Sequence, residues 1–543
     1  MKKHVFFLVT LLSTLTHTYS QVAINSDGSQ PNSSAMLDVS STTKGFLAPR
    51  LTTAQRTVLS ATAVDGLMVY DTDLNAYFVF KGVSWEQQLG SSSGWCIAGN
   101  SGTTAGINFL GTTDDKDLVF KVNGLNAGRI SSVGTTLYGY QAGDVTTAIH
   151  NTFLGWGSGK STTTGDYNSV IGNQAMSANT IHSRICAFGY QALHADAFSD
   201  NCAFGYQALY STTVSGGNLA AGTHALYSNV DGPYNVALGY YAMSANVSGG
   251  YSTAIGYESM KTSTGGGNNN AVGYQSLYSN TTGSGNNAFG YFSLRNNTTG
   301  AYNSAFGNQA MSQTTSGDHN CAFGVEVLQK NSTGSFNNTM GYRCMLENTS
   351  GSSNTAFGSY AGNQNMTGSR NTIFGDSAGY ANSSGNNNVF LGYRAGISET
   401  SSNKLYIDNN GSSASNSLLY GEFDNHILAT NGAFGIKTTT PNSTLQVVGS
   451  FATGITGKST DYSITENDQV VICTAAITVT LPSAVGTGGR QYLIKRNYSG
   501  GSTTLTASNS QTIDGTTTYL LTSNWKYVNV VSDGINWLII GNN

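Results

Sequence analysis

The sequence predicts an all-β protein: a parallel β-roll or β-solenoid of 17-residue coils, followed by a C-terminal antiparallel β-sandwich-like domain. Three observations carry this reading. One glycine-centred motif returns at sixteen positions between Gly139 and Gly392, almost always 17 residues apart. Charged residues make up only 10% of the chain, against about 25% in ordinary domains, while Gly reaches 67 residues. The final hundred residues alternate apolar and polar side chains in short runs, as strands do.

The repeat is plain in NSVIGNQAM, NCAFGYQAL, NVALGYYAM, NNAVGYQSL, NNAFGYFSL, NSAFGNQAM and NTAFGSYAG. Only the steps Gly139 to Gly155 and Gly189 to Gly205 are 16 residues. A period so regular implies one coil per repeat. Four residues before the glycine, 13 of the 15 repeats from Gly155 onward carry Asn, among them Asn201, Asn286, Asn303 and Asn354. Stacked amides in register can hydrogen-bond up and down a column. The glycine suits a positive φ or a close backbone approach. After it come a small residue and then Leu or Met, as in Ala208–Leu209 and Ala310–Met311, and polar turns such as SNTTGSG close the coil.

Adjacent Ala and large apolar residues precede the glycine, and strand neighbours point to opposite faces. The large slot is expected to form the structural core: Phe188, Phe204, Leu238, Phe289, Phe306, Phe323, Phe357 and Phe374. The opposite apolar row is then either an assembly surface, since soluble monomers rarely expose such strips, or a packing layer within a wide coil. Tyr follows the glycine in nine of sixteen repeats, including Tyr190, Tyr206, Tyr240, Tyr257, Tyr274 and Tyr291. This stripe could stack against sugars or stiffen the roll as a ladder. Cys186 and Cys202 share one slot in consecutive coils, so either an intrachain disulfide or two stacked free thiols is expected there.

The N-x-A-[FIL]-G core resembles the NSVAIG-type repeat of YadA-like heads in trimeric autotransporter adhesins. The resemblance covers about Gly139 to Gly396, and it implies a left-handed roll with three chains packed about a common axis. The 17-residue repeat is longer than that family's usual coil, so an enlarged turn is expected. The chain lacks that family's heptad stalk and membrane-barrel strands, so self-anchoring does not carry over.

The organisation follows. Residues 1–20, with Lys2, Lys3 and the apolar run Val5 to Leu12, read as a signal peptide. Residues 21–90 form an N-terminal α+β module, with a helix-capping box at Thr52-Thr53-Ala54-Gln55 and a hairpin across Thr72 to Asn75. Residues 91–138 are a cap and connector, 139–396 the repeat head, 397–445 a second cap and linker, and 446–543 an all-β tip. In the tip, Tyr527 to Val531 and Asn536 to Ile540 flank an Asp533-Gly534 turn. The flanking modules are similar to those of phage tail fibres and bacterial surface proteins.

Chemistry is sparse. Between Gly139 and Gly396 there are ten acidic residues, and Glu258 and Glu326, which share a slot, lie four coils apart. That is roughly 19 Å, wider than the 5–9.5 Å of glycosidase pairs. Asp196 and Asp200 read as solvated turn acids. Cys96, Cys186, Cys202, Cys321, Cys344 and Cys473 form no CxxC, and His182, Cys186, His194 and Cys202 match no zinc spacing. A net charge of −4 gives no footprint for nucleic acid. No stretch of the mature chain is apolar enough to span a membrane. The expectation is a secreted or cell-surface, non-catalytic homotrimeric fibre or adhesin without cofactor, partnered by a surface glycan or matrix protein. The alternatives are a phage-tail-fibre-like receptor-binding protein and a glycan-degrading enzyme on a β-helical scaffold.

Overall fold

The computed structural model describes residues 21–88, 104, 109–195, 198–411 and 413–543. The signal-peptide reading of residues 1–20, Cys96 and Asp196 fall outside them. The chain divides into two compact units, one ending at Leu118 and the other beginning at Val119.

In the first unit, Val22–Asn25 pairs in parallel with Leu37–Ser40. A four-stranded sheet follows, built from Arg50–Leu51, Met68–Asp71, Ala76–Lys81 and Ser84–Gln88. The hairpin closes across Thr72 to Asn75, as the turn residues foretell. Helix Thr53–Leu59 starts at a full capping box between Thr52 and Gln55. Its Arg56 reaches the buried Asp71 carboxylate at 2.8 Å and lies 3.8 Å over the Phe78 ring. That contact joins helix to sheet.

The second unit contains the solenoid. Sixteen three-residue strands, from Thr136–Tyr138 to Val389–Leu391, pair in parallel and in register with one strand per coil. Asn286 faces Asn303, Ala288 faces Ala305 and Phe289 faces Phe306, so each slot of the repeat becomes a straight row. Both ends of this parallel sheet are paired. Leu125–Ile130 runs antiparallel to the first coil strand. Lys404–Ile407 extends the sheet beyond Leu391, and Leu419–Glu422 and Ile427–Thr430 then turn antiparallel. Unpaired strand edges invite aggregation, and these segments cover them.

The alternation of faces holds, but the sides are the reverse of the expectation. Ala288 is 0% exposed whereas Phe289 is 37% exposed. Phe204, Phe323 and Phe374 are likewise exposed, and Phe188, Leu238, Phe306 and Phe357 are half-buried. None of these eight residues belongs to the interior of the chain. The cause lies after the glycine, where Leu or Met adopts a left-handed backbone (φ 52° at Leu209, 51° at Met311). Its side chain is buried in the interior and packs with the Ala row, leaving space for little more than a methyl. Where the strand residue inside is Leu, Ile or Phe, the partner slot is glycine. Phe153 sits with Gly159, and a Cβ on Gly159 would stand 2.7 Å from the Phe153 ring. Phe390 excludes a Cβ at Gly379 and Gly396 in the same way.

The central glycines have φ near +140°, and a Cβ on Gly290 would lie 2.4 Å from the Gly307 carbonyl oxygen of the next coil. Both reasons for glycine apply at once.

The C-terminal part has two sheets around one core, as the alternation predicts, but their pairing is mixed. Ile455–Lys458, Val470–Cys473 and Gln491–Arg496 run parallel, as do Tyr462–Ser463, Thr478–Leu481 and Thr503–Ala507. The chain therefore alternates between the sheets for three rungs, another short parallel coil. Antiparallel pairing enters with Thr518–Leu521, Tyr527–Ser532 and Trp537–Asn542. The last hairpin is present, yet Ser532 pairs with Trp537, so its loop has four residues instead of a two-residue I′ turn. The Asp533 carboxylate accepts from the amides of Ile535 and Asn536 and holds that wider loop. Trp537, Tyr492, Ile494 and Val530 fill the core.

Candidate functional site

The solenoid offers its outward rows, and each is a direct consequence of the repeat. The residue before the central glycine is apolar in all sixteen strands, from Tyr138 to Leu391. Phe289, Phe306 and Phe323 stack with centroids 4.9 and 4.7 Å apart, and Phe357 and Phe374 stack at 4.9 Å. At about 4.8 Å per coil this strip runs roughly 75 Å. Isolated exposed apolar residues need no explanation, but an unbroken strip of this length marks an interaction surface.

The Tyr row is both exposed and stacked. Tyr190, Tyr206, Tyr240, Tyr257, Tyr274 and Tyr291 are 40–47% exposed. Tyr190 and Tyr206 stack at 5.2 Å, and Tyr240, Tyr257, Tyr274 and Tyr291 form a second run at 5.1–5.4 Å. Each inner ring has a neighbour on both faces, so its edge and hydroxyl meet solvent. Sugar stacking needs a free ring face, which the inner rings lack. The ladder reading of this stripe is the one the geometry favours.

Asn forms the inner seam. Asn303 Nδ2 donates to the Gly317 carbonyl at 2.7 Å, and its Oδ1 accepts from the Asn320 backbone amide at 3.0 Å. A second Asn row at the turns went unread in the sequence. Asn297 Nδ2 donates to Asn280 Oδ1 at 2.9 Å and to the Gly300 carbonyl at 2.9 Å. Its signal was the repeated Asn-x-x-Gly spacing of NTTG and NSTG.

Cys186 and Cys202 face each other in register, and both are free thiols in this structure. Burial and the neighbouring Cys186 push the Cys202 thiol above its usual pKa, and burial pushes Cys344 up to about 12. Protonated thiols are poor nucleophiles. His182 and His194 sit in aromatic stacks, on Phe198 at 5.3 Å and Tyr210 at 4.9 Å. Partial burial holds both imidazoles below their usual pKa. Among the described residues, no three His, Cys, Asp or Glu side chains gather as a metal set. Glu258 pairs with Lys261 at 2.7 Å and Glu326 with Arg343 at 2.6 Å, so each carboxylate has its own cation.

One feature departs from the rows. The turn opens into a cleft around Gly216, where the sequence signal was the 16-residue step from Gly189 to Gly205.

Among comparisons with known proteins, a family model described as a phage-tail-like trimerisation region matches residues 23–104. No curated protein matches the chain. No solved structure matches it either. Together with the β-solenoid, the match fits a fibre-like protein. No helix of the described residues is long and apolar enough to cross a membrane.

Proposed function

We propose that the chain is an exported, non-catalytic surface fibre that works as a homotrimer, with three solenoids packed along their apolar strips. The observation that carries this is the unbroken strip from Tyr138 to Leu391, which one chain leaves open to solvent. The trimerisation-region match at residues 23–104 supports the stoichiometry. Its basic start and apolar run support export. The separately neutralised Glu258 and Glu326 and the protonated thiols support a role in binding over catalysis. The polar turns would face outward, toward a glycan or matrix partner.

The phage-tail character of the matched region favours a second reading, a receptor-binding fibre of a phage or injection device. Immunogold labelling with antibody against the solenoid separates the two. Label over the surface of intact cells is the expected result; label confined to phage-like particles would replace the first reading with the second.

A further inference from the structure

The solenoid turn is built on glycine. Seven residues before the central glycine, 11 of the 15 repeats from Gly155 onward carry Gly. A Cβ there would strike the next coil, as at Gly283, where it would lie 2.3 Å from the Gly300 carbonyl oxygen. Three consecutive coils break this rule with His182, Phe198 and Ser215, and the middle one is a residue short. Beside them, Gly216 and Gly217 form a floor without side chains. The result is a cleft of about 570 Å³, within the range of small-molecule sites.

Its walls are specific. Phe198 and Tyr234, 46% and 61% exposed, present aromatic surface across the Gly216–Gly217 floor. Arg184 makes a two-pronged contact with Asp200, Nε to Oδ1 at 2.6 Å and Nη2 to Oδ2 at 2.8 Å, so its charge is already met. The Asp231 carboxylate is exposed at the rim and has no partner among the described residues. The local field is therefore net negative, with an acceptor that lacks a donor.

We propose that this cleft binds an uncharged saccharide, whose C–H face packs on Tyr234 and Phe198 while a hydroxyl donates to Asp231. Solvent-exposed aromatic rings suit such a face, and the net negative rim disfavours sialylated or uronate glycans. This rests on the proposed binding role, and it places recognition in the cleft, away from the stacked Tyr ladder.

The test is retention of the full chain on an array of neutral oligosaccharides of glucose, galactose, mannose and N-acetylglucosamine, beside sialylated and uronate glycans. Wild type should retain at least one neutral oligosaccharide. Tyr234→Ala and Phe198→Ala should each weaken it about tenfold or more, as truncation of a buried aromatic anchor does. Asp231→Asn, which changes no packing, should weaken it as well, and Tyr274→Ala in the ladder should not. No retention of any neutral oligosaccharide, preference for anionic ones, or equal binding by the three cleft variants would overturn the proposal. Shortened oligosaccharides that vanish with Tyr234→Ala would support the site while ending the non-catalytic reading.

Discussion

Gly290 shows how strictly one atom is policed in this fold. Its φ of +140° and the carbonyl oxygen 2.4 Å from any added Cβ leave no room for Ala. Gly290→Ala should cost on the order of 4 kcal/mol or more, read as lost hydrogen-exchange protection in the flanking coils. The interior obeys a volume rule that the chain itself illustrates. Ala305 lies across from Met311, whereas Phe153 lies across from Gly159. Ala305→Phe alone should therefore overpack the coil by about 1–3 kcal/mol. Adding Met311→Gly should recover part of that loss in a thermal melt. The sequence made the two-faced strand legible, because neighbours must point apart. It did not say which face was inside. The deciding fact is the left-handed backbone at the Leu or Met slot, which brings a second large side chain inside and reserves the strand's inner face for Ala.

Elements are held by polar seams more than by bulk. Asn303→Ala would strip the Gly317 carbonyl and the Asn320 amide of their buried partners, costing about 1–3 kcal/mol for each group left unsatisfied. Asn303→Ser should be milder, since Ser252 already occupies this slot and accepts from the Asn269 amide at 3.1 Å. Hydrogen exchange around Gly290 to Gly324 measures both. In the C-terminal sheets, Asp468 is the corresponding tie. Burial alone would raise its pKa, but hydrogen bonds from Thr456, Tyr462 and Thr465 outweigh that and hold it at about 2. A lowered carboxylate pKa adds stability above the unfolded value of about 3.9, and that stability fades as pH falls toward 2. The C-terminal melting temperature should therefore drop between pH 5 and pH 2, and Asp468→Asn should flatten that dependence. The strands here were legible from alternation, which is the same for parallel and antiparallel neighbours. Hairpin signals such as Asp533-Gly534 fix only local pairs, so the three parallel rungs left no mark of their own.

For the molecule as a whole, the repeat distributes stability among neighbouring coils, so damage in one should spread locally. It also lines up whatever each slot contains. A single Phe at the surface would mean little; sixteen apolar residues in a row make an interface. That one strand face would present an apolar strip was legible in the sequence, although it was expected on the Ala side and lies on the Phe side, while the cleft at Gly216 was hidden in a one-residue deletion in the period. Light scattering across a chromatography peak of the full chain tests the central claim most directly. The strip and the trimerisation region call for a mass about three times the 56.8 kDa of one chain. A single-chain mass at micromolar concentration would contradict the account.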